Sequence, residues 1–222
     1  MPHAHHTEGH RTKQPQQGGR SSVLAIGAHP DDIELGCAGT LLAHFERGDR
    51  VTMLVMTPGE RGPQDVKSRV HEQEQAAALL GADLRWGGFT DGEVVEGRES
   101  IQVIERVLLE VGATTVYTHT PNDSHQDHRA TALSSLAAAR RSSSVLCYES
   151  PSSLQFMPSL YVNVSGVLEK KLAVMREHES QVRRNGFVDL GVVEAQARYR
   201  GFYARCPAAE GFETPRFTWD LG

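Results

Sequence analysis

Short apolar runs alternate with amphipathic segments along most of this chain, and this alternation limits the possible folds more than any other feature. Residues 23–27, 51–56 and 114–118 have the length and apolar content of buried strands. Apolar residues at helical spacing follow the first two runs, over 33–47 and 66–80. Strands that alternate with helices form a parallel sheet with right-handed crossovers. We therefore predict an α/β fold, a Rossmann-like and mainly parallel sheet flanked by helices.

The rest of the chain continues this pattern, and nothing in it indicates a second domain. No internal repeat, low-complexity linker or shift in composition divides residues 21–222, so we predict one domain there. Residues 1–20 are polar and have no hydrophobic centre, which is typical of a disordered tail and not of a secretory signal. Further strands are expected at 84–86, 145–148 and 160–164, the last of them antiparallel, and further helices at 101–111, 128–140, 166–178 and 192–199.

Composition excludes several classes of partner. The net charge of -5 provides no basic face for nucleic acid, and lysine is too scarce for a polybasic membrane patch. No apolar stretch approaches the roughly 20 residues of a membrane helix. Cys37, Cys147 and Cys206 are widely spaced and form no CxxC, so neither a disulfide framework nor a cysteine zinc site is indicated. We expect a protein of the cytoplasm with a small-molecule partner, no nucleic acid and no membrane.

The first chemically informative motif, Ala28-His29-Pro30-Asp31-Asp32, directly follows the first predicted strand. One tight turn could direct His29 and Asp32 to the same point. An imidazole and a carboxylate suit Zn²⁺, and also Fe²⁺ or Co²⁺. Asp31 is then a spare carboxylate beside a metal-bound water, which is what a general base requires. The alternative is ordinary helix capping by an aspartate, the role we also expect for Glu34 if it is not simply solvated.

The same turn argues against a nucleotide site. Rossmann folds that bind dinucleotides carry G-x-G-x-x-G after the first strand, so that the backbone can approach the pyrophosphate. Here Gly27 is followed by bulky residues and by two carboxylates that would repel a phosphate.

The second motif, His125-Gln126-Asp127-His128, follows the third clear strand. If a helix begins near Asp127, His128 lies in its first turn and can reach a metal. His125 then lies close by and could stabilise an oxyanion or protonate a leaving amine, with Asp127 orienting its ring. Loop polarity and capping are the alternative, and we expect Asn122 and Asp123 to have only that role. Because parallel strands end at one sheet edge, the two motifs together predict a shared metal site.

These two motifs resemble the signatures of the LmbE-like, or PIG-L, zinc-dependent de-N-acetylases. The resemblance covers about residues 23–200. It includes the lesser features Thr57-Pro58-Gly59-Glu60, Arg69 with Glu72, and His178-Glu179-Ser180-Gln181. Ile33 departs from the pattern, because many members of the family have Glu directly after Asp-Asp.

The resemblance implies a LmbE-like fold with one zinc ion. His29, Asp32 and His128 match the family's metal ligands. Asp31 matches its general base, His125 its oxyanion-stabilising or acid histidine, and Arg69 an arginine that holds the sugar. The implied reaction is removal of acetyl from an N-acetylglucosamine-type amino sugar, in a homo-oligomer such as a trimer or hexamer.

Two other functions stay open from the sequence. One is an amidase that cleaves a sugar-thiol or another N-acyl conjugate with the same centre. The other is a non-catalytic metal-binding module of the same fold. The spare acid Asp31 favours an enzyme, because a purely structural metal site would be closed and would not need it.

Overall fold

The computed structural model describes residues 21–62, 65–184 and 188–218, which form a seven-stranded sheet flanked by six helices. The tail predicted at 1–20 lies outside these residues. Among the described helices, none is both long and apolar enough to cross a membrane. The strands are β1 (Ser22–Gly27), β2 (Arg50–Val55), β3 (Asp83–Trp86), β4 (Thr115–His119), β5 (Ser144–Tyr148), β6 (Leu160–Asn163) and β7 (Ala209–Arg216), and the helices are α1 (Asp32–Glu46), α2 (Val66–Leu80), α3 (Arg98–Val111), α4 (Gln126–Ala138), α5 (Leu168–Arg176) and α6 (Leu190–Ala204).

The strand order β3-β2-β1-β4-β5-β7-β6 explains where a site can form. Strands β1 to β5 are parallel, and the chain moves outward in one direction from β1 to β3 and in the other from β4 to β5. The order therefore reverses between β1 and β4, and ligands of open α/β sheets bind at the carboxyl ends of the strands at such a switch point. The predicted Rossmann-like, mainly parallel sheet is confirmed.

A hydrophobic core lies on each face of the sheet. One core joins the strands to α1, α2, α5 and α6, with Ile33, Leu41 and Leu80 among its buried residues. The other joins the opposite face to α3 and α4, with Ile104 and Ala130 among its residues. Burial on both faces is the reason why β1 and β2 are continuously apolar and do not alternate.

The six predicted strands and six predicted helices are present, with ends shifted by a few residues. Strand β7 was not predicted; it pairs antiparallel with both β5 and β6 and lies between them. The ends predicted for the helices at 66–80 and 101–111 are confirmed, because the residues that follow them, Gly81 and Gly112, are left-handed C-caps. All three cysteines are free thiols, as expected.

Helix α1 is interrupted at Cys37, whose backbone is not helical. The interruption frees the N–H groups of Gly39 and Thr40, and both donate to the carboxylate of Glu210 on β7, over 2.9 and 2.7 Å. Lys171 of α5 is ion-paired with the same buried carboxylate at 2.5 Å. The last described strand therefore stabilises the interrupted first helix.

Candidate active site

The two sequence motifs meet at the carboxyl ends of β1 and β4. His29 lies two residues beyond β1, and His125 and His128 lie at the start of α4, which follows β4. His29 and His125 line a cavity of about 660 Å³, within the roughly 300–1,000 Å³ typical of small-molecule sites. The cavity is lined by polar residues and two glycines: His29, Asp31, Asp32, Arg61, Gly62, Arg69, Asp91, Gly92, Ser124, His125, Gln126 and Gln181.

Asp32 is at the centre of the cluster. One of its oxygens lies 3.4 Å from His29 Nδ1, and the other lies 3.3 Å from His128 Nε2. Ligands bound about 2.0–2.1 Å from one tetrahedral ion lie about 3.3–3.4 Å apart. Burial alone would raise the pKa of Asp32, but the charge of the His128 imidazole holds it well below its usual range. The carboxylate therefore stays ionised between the two rings.

The outer nitrogen of each of these histidines is held by carboxylates. His128 Nδ1 lies 3.3 Å from Asp123 Oδ2, and His29 Nε2 lies 3.1 Å from both Asp91 and Asp127. A proton on each outer nitrogen leaves the inner nitrogen with a lone pair facing Asp32, the usual arrangement of metal-binding histidines.

The surrounding charge favours a cation. Burial alone would lower the pKa of His29, but Asp127, Asp32 and Asp91 raise it to about 12. For His128, Asp32 and Asp123 likewise outweigh burial and raise the pKa to about 9. A negative potential that retains protons on both rings would equally favour a divalent ion. The donor chemistry of the cluster therefore fits a metal.

Three overlapping trios of side chains place their ligand atoms within 4.8 Å of one another. They comprise His29, His125 and His128; Asp32, His119 and His128; and His29, Asp91 and Asp127. The predicted trio of His29, Asp32 and His128 is not itself one of these three groups. Asp32 lies next to both histidines, and the trio stays a prediction.

From the sequence, His119 is expected at the carboxyl end of a strand, where it could rim the pocket; the structure makes it a member of the cluster. It ends β4, is fully buried and stacks on His128 with ring centroids 4.0 Å apart. Its Nε2 accepts the N–H of Ala28 and lies 3.2 Å from Asp32 Oδ2. Burial lowers its pKa to about 4, so the ring is neutral. His119 thus lies beneath the site and not at the rim of the pocket.

Asp31 has an unusual backbone for a residue with a side chain. Its φ of 89° places it in the left-handed region at the N-terminus of α1, and its side chain forms no capping hydrogen bond among the described residues. The carboxylate lines the cavity, with Arg69 Nη2 at 4.0 Å. Burial and the neighbouring charge of Asp32 raise its pKa to about 7; a cation bound at Asp32 would act in the opposite direction.

His125 is exposed to the cavity, and its tautomer is defined by the backbone. Its Nδ1 accepts the N–H of Asp127 over 3.2 Å, so the proton of the neutral ring is on Nε2. Burial, reinforced by the nearby His128, lowers its pKa. The ring lies against His29 and His128, with centroids 4.8 and 4.5 Å away. A neutral ring that donates from Nε2 can stabilise a developing oxyanion.

Arg69 is buried beside the motif, where it joins two loops. Its Nη2 donates to the carbonyl of Pro30 over 2.9 Å, and its Nη1 donates to the carbonyl of Gly59 over 3.2 Å. Gly59 has a φ of +70°, and a Cβ there would collide with the guanidinium. A role of Arg69 in substrate binding stays a prediction.

Several expectations about individual residues were wrong. Asp127 does not orient His125 through its carboxylate, which instead contacts His29 and accepts the N–H of Gly92. Asp123 is not merely a polar loop residue, because it is buried against His128. Glu34 is neither solvated nor capping; it is fully buried next to Gln73 and His178.

The fold and the site together define an α/β protein with a histidine–carboxylate centre at the topological switch point of its sheet. The profile of the family described as PIG-L: GlcNAc-PI de-N-acetylase matches residues 24–139, and the chain belongs to this family. PIG-L deacetylases are generally metal-dependent.

Two relatives of this chain are named as deacetylases. The chain is 35% identical to the uncharacterized deacetylase YaiS of Escherichia coli over 172 residues, which is 72% of this chain and 92% of the relative. It is 29% identical to the diacetylchitobiose deacetylase of Thermococcus kodakarensis, over 72% of this chain and 69% of that protein. The crystal structure of the conserved protein TT1542 from Thermus thermophilus superposes with a TM-score of 0.80 at 27% identity, covering 90% of this chain and 96% of that one.

Proposed function

We propose that this chain is a zinc-dependent hydrolase that removes the acetyl group from an N-acetylglucosamine-type amino sugar. One observation carries the proposal. The backbone of Asp31 lies in the left-handed region and presents its carboxylate to the cavity, next to Asp32 and the inner nitrogens of His29 and His128. A capping aspartate would instead bond to the backbone of its own helix. Membership of a family of deacetylases supports the same conclusion.

In this proposal His29, Asp32 and His128 hold the metal. The bound ion would acidify a water and polarise the amide carbonyl of the substrate. The outer carboxylates Asp123 and Asp127 fix the tautomers of the two histidines and so keep their inner nitrogens available as ligands. Fe²⁺ or Co²⁺ could occupy the same ligand set.

Asp31 is the general base. Its carboxylate accepts a proton from the attacking water and afterwards can transfer that proton to the departing amine. The absence of a capping bond among the described residues leaves the carboxylate oxygens available for this transfer.

His125 stabilises the tetrahedral intermediate. Its Nε2–H donates to the oxygen that develops negative charge, because the Asp127 N–H holds Nδ1 as the acceptor. Only a protonated His125 ring could instead deliver a proton to the departing amine.

The cavity lining supports a sugar. Around the cluster, Ser124, Gln126 and Gln181 offer hydroxyl and amide groups that suit sugar hydroxyls, while Arg61 and Arg69 add donors. Arg61 is ion-paired with Glu93 at the exposed rim. Trp86, whose aromatic face would also suit a sugar ring, packs against the core.

Amine release from a panel of N-acetylated sugars tests the proposal. The panel contains N-acetylglucosamine, diacetylchitobiose, a UDP-linked sugar, an inositol-linked sugar and an N-acyl sugar-thiol conjugate, offered to zinc-loaded wild type and Asp31→Asn. We expect release of acetate from one of the sugars, and a loss on the order of a hundredfold or more in Asp31→Asn at equal zinc content. Release only from the thiol conjugate would indicate the amidase, and zinc binding without turnover would indicate a binding module.

A further inference from the structure

Behind Asp31 lies a group of buried polar side chains that the proposed chemistry does not use. Glu34 comes from α1, Gln73 from α2, and His178 from the segment after α5. All three are fully buried. Since burial of polar groups is costly unless each finds a partner, their contacts indicate what the group does.

Gln73 connects the group to the motif. Its Oε1 accepts the N–H of Asp31 over 3.2 Å, and its Nε2 donates to Glu34 Oε1 over 2.6 Å. The orientation of the amide is thereby fixed, because only its oxygen can face the Asp31 N–H and only its nitrogen can face the Glu34 carboxylate.

Arg69 and Gln73 hold two sides of one peptide group. They lie one helical turn apart on α2. Arg69 donates to the carbonyl of Pro30, while Gln73 accepts the N–H of Asp31, and these two atoms belong to the same peptide bond. The orientation of this peptide plane determines the φ of Asp31, which is 89°. This conformation is unfavourable for an L-amino acid, so contacts with neighbouring residues must maintain it.

His178 contacts the same Glu34 carboxylate. His178 Nε2 lies 3.3 Å from Glu34 Oε1, the oxygen that accepts from Gln73. The charge of Glu34 raises the pKa of His178 against the effect of burial. The contacts thus run from His178 through Glu34 and Gln73 to the backbone of Asp31.

We propose that Gln73 is a positioning residue, which together with Arg69 clamps the Pro30–Asp31 peptide and thereby directs the Asp31 carboxylate into the cavity. The inference rests on the proposed function, in which Asp31 is the general base. An apolar residue at position 73 could fill the same space but would leave the buried Asp31 N–H without its partner.

The test compares four variants with the zinc-loaded wild type. Gln73→Leu removes the clamp, Gln73→Glu keeps an acceptor for Asp31 but places two carboxylates together, and Gln73→Glu combined with Glu34→Gln restores complementary partners. Glu72→Gln is the matched control: Glu72 lies next to Gln73 and binds the N–H and Oγ of Ser180, so it docks α2 on the same segment without contacting Asp31.

Three quantities are measured: kcat and KM on the best substrate, bound zinc, and the hydrogen exchange rate of the Asp31 amide. We expect Gln73→Leu to lower kcat about 10- to 100-fold, the cost of misplacing a catalytic group by about 1 Å. KM and zinc content should stay unchanged, and the Asp31 amide should exchange faster. Gln73→Glu should be at least as impaired, the combined variant should recover most of the activity, and Glu72→Gln should stay within about twofold of wild type.

Two results would overturn the proposal: an unchanged kcat and amide exchange rate in Gln73→Leu, or an equal loss in Glu72→Gln. If Gln73→Leu fails to fold, the comparison between Gln73→Glu and the combined variant decides. If the wild type turns over no substrate, the proposed function fails. Amide exchange then still decides whether Gln73 holds the backbone of Asp31.

Discussion

Replacing Asp123 with asparagine should weaken metal binding although Asp123 is not itself a predicted ligand. Its Oδ2 faces His128 Nδ1 at 3.3 Å and accepts from Ser150 over 2.7 Å, and its Oδ1 accepts the N–H of His125 over 2.8 Å. Both oxygens therefore act as acceptors. An amide offers one acceptor and one donor, so either the His128 ring or the His125 N–H must face an NH₂ group.

Two independent estimates of the loss in metal-binding free energy agree. Losing a hydrogen bond to a charged group costs about 1.5–3 kcal/mol, and removing an outer partner of a metal-binding histidine typically lowers metal affinity about 10- to 100-fold. The latter corresponds to about 1.4–2.7 kcal/mol. If the ring instead changes tautomer to accept from the amide, its proton moves to Nε2 and blocks the nitrogen that faces Asp32.

Competition with a fluorescent zinc chelator at pH 7 measures the effect on metal-free protein. We expect the zinc Kd of Asp123→Asn to rise about 10- to 100-fold. Asn122→Ala is the control, because it removes only an exposed bond to the Leu154 carbonyl from the same loop. An unchanged Kd in Asp123→Asn, or an equal rise in the control, would refute the assignment of His128 Nε2 as a ligand held by Asp123.

Two predictions concern stability in urea. Lys171→Met leaves the buried Glu210 carboxylate without its cation and should lower the free energy of unfolding by about 3–5 kcal/mol; a loss near zero would contradict the ion pair. Burial lowers the pKa of His44, against the effect of Asp49. Below about pH 6.5 His44 is therefore protonated in the unfolded state but stays neutral in the folded state. The contribution of His44 to stability should therefore fall as the pH decreases below about 6.5, so His44→Gln should lose less stability than the wild type over that range, with parallel profiles as the contrary outcome.

Four of the five parallel strands, β1, β2, β4 and β5, could be predicted because they are buried in the middle of the sheet and occur as mainly apolar runs. Strand β7 escaped prediction because Glu210, Gly211, Glu213 and Pro215 interrupt its apolar pattern. Two of these residues are polar because of contacts that only the three-dimensional structure shows. Glu210 binds the interrupted helix α1 and Lys171, and Glu213 accepts from Thr120.

The inner residues of the candidate site could be predicted because they occur in two contiguous motifs. The residues around them could not, since Gln73, Asp91 and His119 are single polar residues on separate elements with no local pattern. Asp91 lies in a turn, as its Asp-Gly sequence indicates, yet it also contacts His29. Asp127 was expected to orient the ring of its neighbour His125. Helix α4 instead directs its carboxylate to His29, which is 98 positions away in the sequence.

The hydrogen bonds between Glu210 of β7 and the interrupted helix α1 affect the order in which the protein can fold and bind metal during synthesis. A nascent chain that has emerged only as far as α6 already contains both motifs, yet it lacks the carboxylate that accepts the N–H groups of Gly39 and Thr40. It also lacks the strand that separates β5 from β6. Metal capture on the ribosome should therefore await synthesis of β7, although every predicted ligand precedes it by more than eighty residues.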